Sequence, residues 1–224
     1  MYKQQQKFIT EVLPIGSWNG KRCFILGGGP SLENFDFSLI KNELTIGINK
    51  SFIKFPTAVN FSMDAKFYEY VSKPNSADAV QNKIHEQWLT YSGVRTFLQL
   101  DIKKQLENIY LVKKLTAKSI SLNLEAGIYG GSNSGLGALM LAMALGANPI
   151  YLLGYDMKVK DTKTHWHSGY PNQTADSLIR RLGKFIQSFD ECADSIKKAG
   201  FTVINLNPDS ALICFDKKRI EDII

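Results

Sequence analysis

The chain has 224 residues, 44% of them apolar and 21% charged, which suits one globular α/β domain with a substantial core. A net charge of +6 and a pI near 9.1 favour anionic ligands such as nucleotides, acidic sugars, nucleic acid or a phospholipid surface. No apolar run reaches the ~18 residues of a membrane span, and the segment Met1–Thr10 lacks the apolar stretch of a signal peptide.

In chain order, short apolar runs bounded by Gly, Pro or Asn predict strands at Arg22–Leu26, Leu44–Ile48, Ala58–Met63, Val94–Leu100, Ile109–Val112, Ile150–Leu153 and Thr202–Ile204. Helices are predicted between them at Asp64–Val71, Ala77–Leu89, Asn133–Leu145 with Gly146 as its stop, and Ala175–Ala199 ending at Gly200. The last carries Leu182, Phe185, Ile186, Phe189, Ala193 and Ile196 at helical spacing. Strands alternating with helices predict a single Rossmann-like α/β domain, a mostly parallel sheet with helices on both faces. The expected organisation is an N-terminal extension over 1–21, a nucleotide-binding transferase domain over 22–207 and a tail over 208–224. Three scattered cysteines, Cys23, Cys192 and Cys214, read as reduced core thiols of a cytoplasmic protein.

In parallel sheets, ligands sit beyond the C-terminal ends of the strands. Five polar or glycine-rich features fall at such ends. Phe24-Ile-Leu-Gly-Gly-Gly-Pro-Ser-Leu32 runs from a strand into a turn, Gly27, Gly28, Gly29, Pro30 and Ser31, where glycines let the backbone approach an anion and the N–H groups of a following helix can bind it. Its spacing is not that of the dinucleotide fingerprint. Asn49 follows the second strand and Asp64 the third, where Asp64 can bind ribose, hold Mg²⁺ or cap the next helix. Gly130-Gly-Ser-Asn-Ser-Gly135 opens an Ala-rich helix, with Ser132 or Asn133 as its cap. Gly154-Tyr155-Asp156 follows the strand at Ile150.

Thr164-His-Trp-His-Ser-Gly-Tyr-Pro171 places two of three histidines two residues apart in a polar loop. An extended backbone turns both to one side. That arrangement suits a metal site with Asp156 or Asp161 as a third ligand. It equally suits a general base with its neighbour as an orienting group.

As an ordered set, Gly27-Gly-Gly-Pro-Ser31, Asn49, Asp64, Asn133-Ser134-Gly135 and Leu153-Gly-Tyr155-Asp156 resemble the MptE-like proteins and the bacterial sialyltransferases of glycosyltransferase family 42 over about residues 22–207. The arrangement ending in the His165-Trp-His167 loop also resembles uncharacterised proteins encoded in bacteriophage genomes, which implies the cytoplasm of an infected host. The sialyltransferase resemblance implies a CMP-sugar donor. The glycine turn, Asn49, Ser134, Gly135 and Tyr155 would lie at the nucleotide, with Asp156 nearby. It also implies a histidine general base, His165 or His167, with His167 preferred because Ser168 follows it as in the family's His-Ser pair. The MptE-like resemblance implies Mg²⁺-dependent transfer of diphosphate from ATP to a pterin-like hydroxymethyl acceptor, which Asp64 suits. A non-catalytic nucleotide-binding or virion-associated protein is the third reading, since a fold hosts many functions. A nucleotide or nucleotide-sugar is the expected partner, and a small molecule, glycan or modified base the expected acceptor. The cofactor is left open, with Mg²⁺ the candidate and no tightly bound organic cofactor expected; homo-oligomers suit such a domain.

Overall fold

A computed structural model describes residues 6–99, 108–160, 163–167 and 175–224. The strands are β1 (Cys23–Leu26), β2 (Leu44–Ile48), β3 (Val59–Ser62), β4 (Val94–Leu98), β5 (Ile109–Val112), β6 (Lys114–Leu115), β7 (Ile128–Tyr129), β8 (Ile150–Leu153), β9 (Val203–Asn205) and β10 (Asp216–Lys217). The helices are α1 (Ala65–Ser72), α2 (Ala79–Thr90), α3 (Ser134–Ala144) and α4 (Ala175–Lys198). Eight strands form one parallel sheet in the order β10-β9-β8-β1-β2-β3-β4-β5, and β6 pairs with β7 beside it.

The pleat explains why β1 is apolar throughout. Cys23 and Ile25 enter the cluster around α3, with Ile46, Val59, Phe61, Ile150 and Leu152, while Phe24 and Leu26 point the other way, onto Tyr151, Leu153 and Ile204. Helix α3 is buried on all sides, and α4 adds Phe189, Cys192 and Ile196 to the same face. On the opposite face, Phe67, Tyr68 and Val71 of α1 meet Ile84 and Trp88 of α2 over Phe97, Ile109 and Leu111. Helices therefore cover both faces, as the alternation of elements predicts.

Both glycine stops work as read. Gly146 and Gly200 have φ of +87° and +85°. At each end the following two N–H groups close a Schellman motif: Gly146 to Met143 O and Ala147 to Ala142 O, then Gly200 to Lys197 O and Phe201 to Ile196 O. The flanks share the core. Ile9 and Trp18 are buried within it, Phe8 bridges Leu111, and in the C-terminal segment Leu212 is buried while β10 extends the sheet.

One expectation is corrected. The helix-compatible sequence after Ser31 forms only short 3-10 segments, Pro30–Leu32 and Phe37–Ile40. Asp36 turns its side chain onto the Ser38 N–H, a local bond that competes with a continuous helix. No long helix dipole stands behind the glycine turn.

Candidate functional site

Strand β1 lies beside β2 and β8, and the chain runs outward from it in opposite directions. The order reverses between β1 and β8, so the loops leaving those strands border the crevice where doubly wound sheets bind ligands. They are Gly27–Ser31 and Gly154–Asp156, two of the segments singled out from the sequence.

The loops are clamped together. Asp156, 3% exposed, accepts the Ser31 N–H at 3.1 Å on Oδ1 and the Ser31 hydroxyl at 2.7 Å on Oδ2. Gly27 N–H donates to Leu153 O and Gly29 N–H to Gly154 O. The glycines are needed for this closeness. A Cβ on Gly29 would stand 1.8 Å from Asp156 Oδ2, and one on Gly27 2.6 Å from Gly154 O. Two observations stand beside the sequence reading. The N–H groups of Gly27, Gly29 and Ser31 bind the protein itself rather than forming an open phosphate cradle. Asp156 is a buried organiser of the turn, where the sequence suggested catalysis or a metal ligand.

The histidine loop closes over the same turn. Trp166 N–H donates to Gly28 O, and Lys163 Nζ bonds both carboxylate oxygens of Glu33 at 2.7 and 3.0 Å. Lys54 Nζ lies over the Trp166 ring at 5.3 Å while donating to Glu33 O. His165 packs so tightly on Gly28 that a Cβ there would meet its Cδ2 at 2.8 Å, and its Nδ1 is 2.9 Å from Thr164 Oγ1. The rings of His165 and His167 stack at 5.0 Å, as the two-residue spacing predicts. Burial, then the charges of His167, Lys50 and Arg181, push the His165 imidazole from 6.5 down to about 4. His165 is neutral at pH 7. Ser168, the second half of the His-Ser pair, and Asp161 lie outside the described residues.

The end of β2 supplies groups that the sequence reading missed. Ser51, buried, donates toward the carbonyls of Ile48, Leu26 and Gly27, tying β2 to the glycine turn. Asn49 takes the left-handed conformation, φ +51°, and its carbonyl accepts from Asn60 Nδ2 at 3.0 Å. Lys50 follows it, half-buried, its Nζ 5.1 Å from the centre of the Tyr70 ring, with burial lowering its proton affinity. Lys50 was legible only as the neighbour of Asn49, and Arg181 only as a polar position of an amphipathic helix.

The remaining predicted residues belong largely to the scaffold. Asp64 is exposed and caps α1 through the Lys66 N–H at 2.8 Å. Asn133 caps α3 through Leu136 N–H and donates to Ser188 Oγ. Ser134 Oγ accepts the Met63 N–H at 3.1 Å, joining the α3 entrance to the end of β3. Tyr155 is 2% exposed, its ring edge-on to Phe189 and its hydroxyl on Gly135 O. That is a packing role where the sequence suggested a nucleotide contact. The structure thus gathers Gly27–Ser31, Asp156, His165 and His167 directly, links Asn49 to them through Ser51, and sets Asp64 and Tyr155 apart as cap and core.

Among the described residues, no three His, Cys, Asp or Glu side chains are grouped to hold a metal. Both Asp156 oxygens accept from Ser31, and Asp64 Oδ1 accepts from the Lys66 N–H. All three cysteines are free, and burial pushes each thiol up, away from a reactive thiolate. A cleft of about 660 Å³ adjoins the turn, walled by Pro30, Ser31, Phe35, Lys160 and Lys163. No helix among the described residues is long and apolar enough to cross a membrane.

The fold these elements define is sialyltransferase-like. Among solved structures it is similar to a variant of the sialyltransferase CST-II in complex with CMP, with a TM-score of 0.50 and 16% identity over 88% of this chain and 85% of that one. No protein-family model and no curated protein sequence matches the chain. The likeness is one of fold, and it is to the sialyltransferase side of the resemblance; the MptE-like and phage-encoded sides gain nothing from it.

Proposed function

We propose that the protein is a glycosyltransferase that uses a nucleotide-sugar donor of the CMP-sugar type, with His167 as general base. The observation that carries this reading is the meeting of the Gly27–Ser31 turn and the stacked His165–His167 pair at the β1/β8 reversal of a sialyltransferase-like sheet. The fold neighbour holds CMP, and a basic environment of Lys50 and Arg181 suits an anionic donor.

The two histidines divide the work. His165, neutral and of low proton affinity, is a poor acceptor for a hydroxyl proton and a good spacer between Gly28 and its neighbour. His167 takes the proton from the acceptor hydroxyl. The freed oxygen attacks the anomeric carbon, the bond from that carbon to the phosphate oxygen breaks, and its electron pair leaves with CMP. The cleft beside Pro30 and Ser31 offers volume for the acceptor.

A thermal-shift panel of CMP, CTP, UDP, GDP and ATP, with and without Mg²⁺, tests the reading. Stabilisation by a cytidine nucleotide without metal supports it. A response confined to ATP with Mg²⁺ would replace it with diphosphate transfer, and silence toward every nucleotide would replace it with a non-catalytic role.

A further inference from the structure

We propose that Lys50 is the phosphate-binding residue of this site, placed to neutralise the charge that the nucleotide gains as it leaves. The inference rests on the glycosyltransferase reading above and adds to it a residue in a stated role.

Three observations place Lys50 there. It lies in the 3-10 segment Asn49–Ile53 at the C-terminal end of β2, next to the strand whose turn the histidines cover. Its segment is tied to that turn, because Ser51 one residue on donates toward Gly27 O and Leu26 O. Its charge reaches the His165 ring, which in turn touches Gly28. A lysine normally keeps its ammonium in water at the surface. Lys50 is instead half-buried, with its Nζ on the face of Tyr70. Among the described residues, Asp78 at the cap of α2 is an acidic group whose charge it feels. A half-buried cation is a strong receptor for an anion, because the lowered local dielectric magnifies the attraction.

The chemistry makes that anion a nucleotide phosphate. In a CMP-sugar the phosphodiester carries one negative charge. When the anomeric C–O bond breaks, the electron pair stays on the phosphate oxygen and CMP departs as a monoester with a second charge. A fixed ammonium interacts more strongly with the product-like phosphate than with the bound donor, so it lowers the barrier rather than merely tightening binding. Lys50 therefore acts mainly on kcat.

The test compares wild type with Lys50→Met, which keeps most of the apolar stem without the charge, and Lys50→Arg, which keeps the charge. Calorimetry with CMP, cytidine and inorganic phosphate is paired with donor turnover. Lys50→Met is expected to weaken CMP binding by about 10- to 100-fold, the range of a lost charge-assisted bond. Cytidine binding should stay unchanged, and kcat should fall far more than KM rises. Lys50→Arg should restore CMP binding to near the wild-type level. Equal CMP affinity in wild type and Lys50→Met would overturn the assignment while leaving the glycosyltransferase reading intact. If wild type binds no nucleotide, that reading fails by itself. Inorganic phosphate then decides the subsite: binding lost in Lys50→Met upholds it, and equal binding overturns it.

Discussion

Asp156 accepts both the backbone N–H and the hydroxyl of Ser31, residues 125 positions apart in the chain, and so joins the loops after β8 and β1 with one buried carboxylate. Hydrogen bonds to a charged partner are the strong ones, and a buried donor left without an acceptor carries its full desolvation cost. Asp156→Ala should lower stability by about 3 kcal/mol in urea unfolding. A double-mutant cycle with Ser31→Ala should give a coupling of about 1–3 kcal/mol. Strictly additive effects would show that the two residues do not act as a pair.

Glycine substitutions should separate close approach from simple flexibility. Gly29→Ala drives a methyl group into Asp156 and Gly154 and is expected to cost about 3 kcal/mol or more. Gly183, inside α4, has open space for 4 Å around the point where a methyl group would stand, and should behave in the opposite way. Gly183→Ala should stabilise the fold by about 0.5–1 kcal/mol, because alanine loses less backbone entropy in a helix. Melting temperatures of both variants check the contrast.

The pH dependence of stability carries the signature of His165. Its half-buried ring binds a proton near pH 4, whereas an unfolded histidine does so near 6.5. Between these values the unfolded chain holds more protons than the folded one, so stability rises with pH through the window. Acidification from pH 6.5 to 4 should therefore destabilise the protein, and above about 6.5 this contribution is flat. His165→Gln removes the titration. Melting curves across pH 4 to 8 should show a shallower acid slope in the variant, and identical slopes would place His165 in water.

Much of this architecture was legible because parallel strands buried on both faces read as apolar runs. Leu44–Ile48 and Ile150–Leu153 match the observed strands end to end, and Gly146 and Gly200 marked both helix stops. The short pairs were not legible. Asp216–Lys217 and Lys114–Leu115 carry no apolar pattern and are strands only because a neighbour's edge accepts them. At the site, residue type pointed to the loops at the β1/β8 reversal but not to the contacts each side chain makes there. A strand-end aspartate looks the same in sequence whether it faces a ligand or, like Asp156, is consumed by Ser31. Tyr155 likewise reads as a contact residue until its ring is found against Phe189. Lys50 and Arg181 went unread because their charges bear on His165 through tertiary proximity, which no local spacing encodes.

The most direct test of the central claim is the release of CMP from a CMP-sugar, followed with wild type and with His167→Ala without added metal. Turnover by the wild type is expected, with its loss in His167→Ala by about 10²- to 10⁴-fold as for removal of a general base and CMP affinity nearly unchanged. Wild-type rates of CMP release in His167→Ala would contradict the claim.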